Sequence, residues 1–169
     1  YTYDLVEIGG RCWFTQNLRT EHYSNGDSIP YAQESSVWTE LGENYTGARS
    51  VSPGYEYNGN LYNWYTTIDE RGLCPAGWSV PEKVEFDALL DSLDLIYPSG
   101  GAIITALLDE NTTTVGSNTS GFSATITEII SSSGSVNTSF PNPIYWTASY
   151  SSSPESWSFI VPVSWNSYT

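Results

Sequence analysis

Apolar and polar positions change their spacing along the chain, and the changes predict its elements. Residues 3–8 alternate around Leu5, Val6 and Ile8 and read as a strand. Gly9-Gly10 suits a tight hairpin, and residues 11–14 return as a second strand carrying Cys12 and Trp13. A polar stretch follows, with a turn at Asn25-Gly26-Asp27. Gly42, Gly47, Pro53 and Gly54 predict that residues 31–57 are mostly loop, anchored by Trp38 and several tyrosines. A short helix is expected over residues 61–68, then a tight loop at Cys74-Pro75-Ala76-Gly77-Trp78. The strongest helical signal covers residues 82–93. There Phe86, Leu89, Leu90 and Leu93 share one face, Pro81 stands at the start, and Glu82, Glu85 and Asp87 complement the dipole. Residues 102–108 are apolar nearly all round and predict a short buried helix. Beyond Gly116 the spacing turns to that of strands, at 121–130, 144–150 and 157–163, separated by Ser- and Asn-rich runs. No internal repeat is visible.

Length and charge narrow the function classes. A chain of 169 residues suits one domain, residues 1–169, with a full core. The net charge is −14, and all five basic residues lie at or before Lys83. No basic surface exists to neutralise phosphates or anionic lipid heads, which argues against nucleic acid and charged membranes as partners. No apolar run approaches the roughly 20 residues of a membrane-spanning helix. The second half is rich in Ser and Thr yet keeps its aromatic and aliphatic residues to the end, so it can fold. Such composition points to an extracellular protein, and the lack of Met at position 1 to an upstream segment such as a signal peptide.

Candidate chemistry is sparse. Cys12 and Cys74 fit one disulfide in an oxidising compartment, with two free thiols as the alternative. Two cysteines and the single His22 do not complete a zinc site, and a calcium site at Asp109, Glu110 and Asn111 is a weak signal. The adjacent carboxylates Asp69-Glu70 and Asp109-Glu110 read as solvated. No nucleophile elbow, phosphate loop or zincin motif is present. The expectation is a non-catalytic protein without cofactor or metal. Trp64 and Trp78, flanking the Cys74 loop, read as core anchors.

Several motifs in fixed order carry a resemblance. They are Val6-Glu7-Ile8-Gly9, Cys12-Trp13, Gln16-Asn17-Leu18, Gly59-Asn60-Leu61-Tyr62-Asn63-Trp64, Cys74-Pro75-Ala76-Gly77-Trp78-Ser79-Val80-Pro81, Glu85-Phe86, Gly121-Phe122-Ser123 and Tyr145-Trp146-Thr147. Together they resemble the Fibrobacter succinogenes major paralogous domain, a family of secreted bacterial modules. The Gly-Trp-x-x-Pro-helix element is also similar to C-type-lectin-like and formylglycine-generating folds. The resemblance implies an α+β domain: a twisted antiparallel sheet, its first and last strands paired, with two or three short helices. The cysteines match the family's structural pair. Two departures stand out. Glu82 replaces the usual capping Thr or Ser, so Ser79 or water is expected to cap the helix. The chain also ends in Val161-Pro162-Val163-Ser164-Trp165, without the family's terminal Arg-Cys strand.

The function expected first is a structural or adhesive bacterial surface subunit. It would polymerise head-to-tail with copies of itself, because Pro162 suits an edge strand and the late strands lack Lys and Arg gatekeepers. Tyr1, Tyr3, Tyr150, Trp157 and Trp165 are the aromatics expected at such a joint or against a ligand. The alternative is a lectin-like module binding carbohydrate or peptide, with Tyr145 and Trp146 as further stacking candidates, although core packing is favoured for Trp146. Asn44, Asn111, Asn118 and Asn137 have the form of N-glycan acceptors, and Ser28 and Ser92 of O-glycan acceptors.

Overall fold

The computed structural model describes residues 1–51, 58–111, 114–137, 142–150 and 156–163. Strands β1 (Leu5–Ile8) and β2 (Arg11–Phe14) pair antiparallel, with Leu5 opposite Phe14 and Ile8 opposite Arg11. Gly9 and Gly10 have φ of +63° and +74°, the two left-handed residues that a type I′ hairpin requires. Gly9 is needed for a second reason: a Cβ there would run into the side chain of Ser92.

Residues 31–51 hold more structure than their glycines suggest; the rest of the expected loop, with Pro53 and Gly54, lies outside the described residues. Helix α1 (Ser35–Glu43) buries Trp38, and β3 (Arg49–Ser50) pairs with β4 (Leu61–Tyr62). Gly42 sits in the last turn of α1, where it breaks nothing. The helix expected over 61–68 is split between β4 and one turn, α2 (Trp64–Thr67), whose N-cap Asn63 accepts from the Thr66 N–H. Helix α3 (Lys83–Asp94) buries Phe86, Leu89 and Leu93, as the spacing predicts, and α4 (Gly100–Leu107) buries Ile103, Ala106 and Leu107.

The start of α3 corrects the capping expectation. Pro81 lies one residue before the N-cap, Glu82. Glu85 Oε2 accepts the Glu82 N–H at 2.8 Å, and Ser149 Oγ accepts the Lys83 N–H at 2.9 Å. Neither Ser79 nor water is required.

The late strands are shorter than expected. Residues 121–130 are not one strand. Gly121 (φ +76°) and Ser123 (φ +57°) interrupt the extended run, leaving one parallel bridge from Ala124 to Leu108 and the short pair β5 (Ile129–Ile130) with β6 (Val136–Asn137). Strands β7 (Ile144–Tyr150) and β8 (Ser156–Ile160) form an antiparallel hairpin with an irregularity between Trp146 and Tyr150. Pro162 lies past the end of β8.

Among the described residues the fold is α+β, with the strands in antiparallel pairs and not in one continuous sheet. β1 pairs with β2 and β8 with β7, so the expected pairing of first and last strands is not found among these residues. Side chains join the parts instead. Ile8 and Trp13 from the first hairpin meet Phe86, Leu89 and Leu93 of α3, Leu107 of α4, Phe122, and Val161 just after β8. Phe86 stacks on Phe159 at 4.3 Å and tilts against Trp13 at 5.4 Å; Phe122 meets Tyr145 edge-on at 5.8 Å. A second cluster gathers Tyr23, Ile29 and Leu73, and a third Ala32, Trp38 and Ala48 against Leu41 and Ile130.

Candidate binding groove

The polar motif residues mostly lock one loop to another. Gly59, at φ +96°, lies so close to Asn17 that a Cβ would come within 2.7 Å of the Asn17 Cβ. Asn17 Nδ2 donates to the Asn58 carbonyl at 2.9 Å, and the Asn60 N–H to the Leu18 carbonyl at 2.9 Å. The Tyr62 hydroxyl and Asn60 Nδ2 both donate to the Thr20 carbonyl, at 2.7 and 3.0 Å. Burial pushes the Tyr62 hydroxyl well above its ordinary range. Asn63 Nδ2 donates to the Thr46 carbonyl at 2.9 Å, and its Oδ1 accepts from the Ala48 N–H at 2.9 Å. Thus Gln16-Asn17-Leu18 and residues 59–63 explain each other as structure.

The same locks hold open a groove of about 1200 Å³. Its walls come from β2, the 74–81 loop, β4 with α2, the end of α1, residues 125–133 and β7. The walls are aromatic. Phe14 packs on Trp78 with ring centroids 4.0 Å apart, and Trp146 Nε1 donates to the Tyr62 carbonyl at 2.8 Å. Trp146 is 37% exposed, so it is a groove-edge residue and not the core residue expected. Trp64 and Trp78 are half-buried in the walls rather than sealed in a core. Arg11 is the groove's cationic side chain among the described residues and is ion-paired with Glu85; Glu43 and Glu128 add carboxylates. The groove is therefore rich in acceptors and in flat apolar faces, and it offers an anion no unpaired cation.

Both cysteines line the groove, but they are not bonded to each other, which corrects the expected disulfide. The alternation that buries Trp13 leaves Cys12 exposed opposite Glu7, while Cys74 sits half-buried with its carbonyl accepting the Ser24 hydroxyl at 2.6 Å. Burial pushes the Cys74 thiol up to about 11.

The other candidate residues are dispersed. Tyr1 is exposed and meets Tyr3 edge-on at 4.8 Å, with the Arg19 guanidinium over its ring; Tyr3 stacks on Phe14. Tyr150 and Trp157 are exposed on the β7–β8 hairpin, Trp157 beside Lys83, and Trp165 falls outside the described residues. Of the acceptor sites, Asn44, Asn111, Asn137 and Ser28 are exposed. Asn118 is half-buried and bonded through its side chain to Ser123, and Ser92 is half-buried, donating to the Ala88 carbonyl. His22 is exposed. Asp69 is not simply solvated: Arg71 holds it in a two-point contact, and that hydrogen bonding keeps its carboxyl below the ordinary range. No cluster of His, Cys, Asp or Glu among the described residues could hold a metal, and no described helix is long and apolar enough to cross a membrane.

Sequence reasoning found Trp64, Trp78 and Trp146 but not that they share a groove with Trp38 and Glu43. The signal lay in α1, which the glycine pattern hid. Comparison with curated proteins and with solved structures yields no match. The family model described as the Fibrobacter succinogenes major domain matches residues 6–167, and the chain belongs to that family.

Proposed function

We propose that the chain is a secreted, non-catalytic binding module of C-type-lectin-like architecture whose groove takes neutral, hydroxyl-rich ligands, namely glycans. The observation that carries this reading is the aromatic groove itself. Flat indole and phenyl faces suit the C–H faces of sugar rings, and carboxylates such as Glu43 and Glu128 are strong acceptors for sugar hydroxyls. The −14 charge and the pairing of Arg11 with Glu85 disfavour acidic ligands. The fibre expected from the sequence has less support. One of its premises is that Pro162 makes the final strand an open edge, yet that residue lies beyond β8, and the Val161 N–H is accepted by the Pro143 carbonyl at 3.0 Å.

The test is an immobilised panel of neutral and acidic oligosaccharides probed with the wild type and Trp146→Ala. The proposal expects signal on neutral glycans that falls in the variant. Signal confined to sulfated or uronic glycans, or none at all, contradicts it.

A further inference from the structure

Helix α1 ends in a Schellman motif. The Tyr45 N–H bonds the Gly42 carbonyl at 3.1 Å, and the Thr46 N–H bonds the Leu41 carbonyl at 2.8 Å. The residue this places in the left-handed region is Tyr45, at φ +55°. Glycine is the usual occupant there because a Cβ is crowded, and a bulky residue at positive φ is a genuine outlier. The ring regains little by burial, since Tyr45 is 77% exposed. Instead it stands edge-on to Tyr65 at 5.5 Å and 84°, and Tyr65 stands edge-on to Trp64 at 5.7 Å and 60°. Tyr65, Trp64 and the Glu43 carboxylate, two residues before Tyr45, all line the groove. The edge contact with Tyr65 offsets only part of the backbone cost, and it leaves an exposed aromatic ring beside residues that line the groove.

We propose that Tyr45 and Tyr65 form an outer subsite that lengthens the groove, stacking on the distal units of a neutral oligosaccharide chain while Glu43 accepts its hydroxyls. This deepens the glycan reading and rests on it. The ligand is then a chain longer than the central groove, bound along its length, and not a single terminal sugar. All-equatorial glucose units are the best match, because both ring faces present C–H groups for stacking.

The test is calorimetric titration of the full chain with β-1,4-linked gluco-oligosaccharides of three and six units, using wild type, Tyr45→Gly and Tyr45→Phe. The wild type should bind the six-unit chain more tightly than the three-unit chain. Tyr45→Gly should weaken the six-unit chain about three- to tenfold, the range that one aromatic contact supplies. It should leave the three-unit chain unchanged and melt no lower than the wild type, because glycine relieves the positive φ. Tyr45→Phe keeps the ring and should keep the affinity. An unchanged six-unit affinity in Tyr45→Gly overturns the subsite. So does a lower melting temperature with equal loss for both lengths, which would mark Tyr45 as structural. If neither length binds the wild type, the groove reading falls and takes the subsite with it.

Discussion

Replacing Asn63 should cost more stability than its size suggests. Asn63 is 8% exposed and caps α2. Its Oδ1 accepts from the Ala48 N–H at 2.9 Å, the Thr66 N–H at 3.1 Å and the Thr66 hydroxyl at 2.8 Å; its Nδ2 donates to the Thr46 carbonyl at 2.9 Å. In Asn63→Leu, which nearly conserves volume, every one of these is lost. All three donors keep a second partner: the Ala48 N–H retains the Thr66 hydroxyl, the Thr66 N–H the Asn63 carbonyl, and the Thr66 hydroxyl the Ala48 carbonyl. The Thr46 carbonyl loses the side-chain donor given above. A buried group left unsatisfied costs about 1–3 kcal/mol, and a lost N-cap about 1 kcal/mol. The sum predicts a loss of about 2–4 kcal/mol. Urea unfolding followed by tryptophan fluorescence measures it as a lower midpoint at unchanged slope. Asn60→Ala, a half-buried neighbour in the same motif, should lose only about 1 kcal/mol. An Asn63→Leu loss under 1 kcal/mol, or one equal to Asn60→Ala, would refute the view that this asparagine pins the 46–48 loop to α2.

Two further outcomes follow from the charges and thiols. Iodoacetamide at pH 8 should modify Cys12 quickly and Cys74 slowly in the native protein, and both at once after denaturation; native mass spectra lacking two free thiols contradict the unbonded pair. Asp69 and Asp27 both have carboxyls held below the ordinary 3.8, Asp69 chiefly by hydrogen bonding to Arg71 and Asp27 chiefly to Asn25 and then Arg71. A depressed carboxyl contributes stability that is present above its unfolded value and lost as pH falls through its folded one. Arg71→Gln should therefore flatten the stability decline below about pH 4; an acid limb identical to the wild type's refutes the assignment.

The parts of the fold governed by local spacing were legible. The β1–β2 hairpin follows from Gly9-Gly10, and the buried face of α3 from Phe86, Leu89 and Leu93. Helix α1 was not legible: Gly42 reads as a breaker, and of the residues that reward Trp38 and Leu41, Ala32 and Ala48 are small residues in the flanking loops and Ile130 lies far along the chain. The run 121–130 misled in the opposite way. Its Ile and Thr residues have strand propensity, but the turn at Asn118–Ser123 breaks the run, and among the described residues its strand pairing is confined to the bridge at Ala124 and to Ile129–Ile130. The cap of α3 was legible only in part: Glu85 is local, but Ser149 comes from afar. The groove was half visible. Its tryptophans stand out in the sequence, but only the packing of Phe14 on Trp78 and the bond from Trp146 to Tyr62 put them around one space.

The most direct test of the glycan-binding groove is an indole N–H titration by two-dimensional NMR with the six-unit gluco-oligosaccharide. The seven tryptophans provide both probes and controls. The account predicts shifts for Trp78 and Trp146 in the groove, and none for Trp157 beside Lys83. Shifts at Trp157 with Trp78 and Trp146 silent, or no shift at saturating sugar, would contradict it.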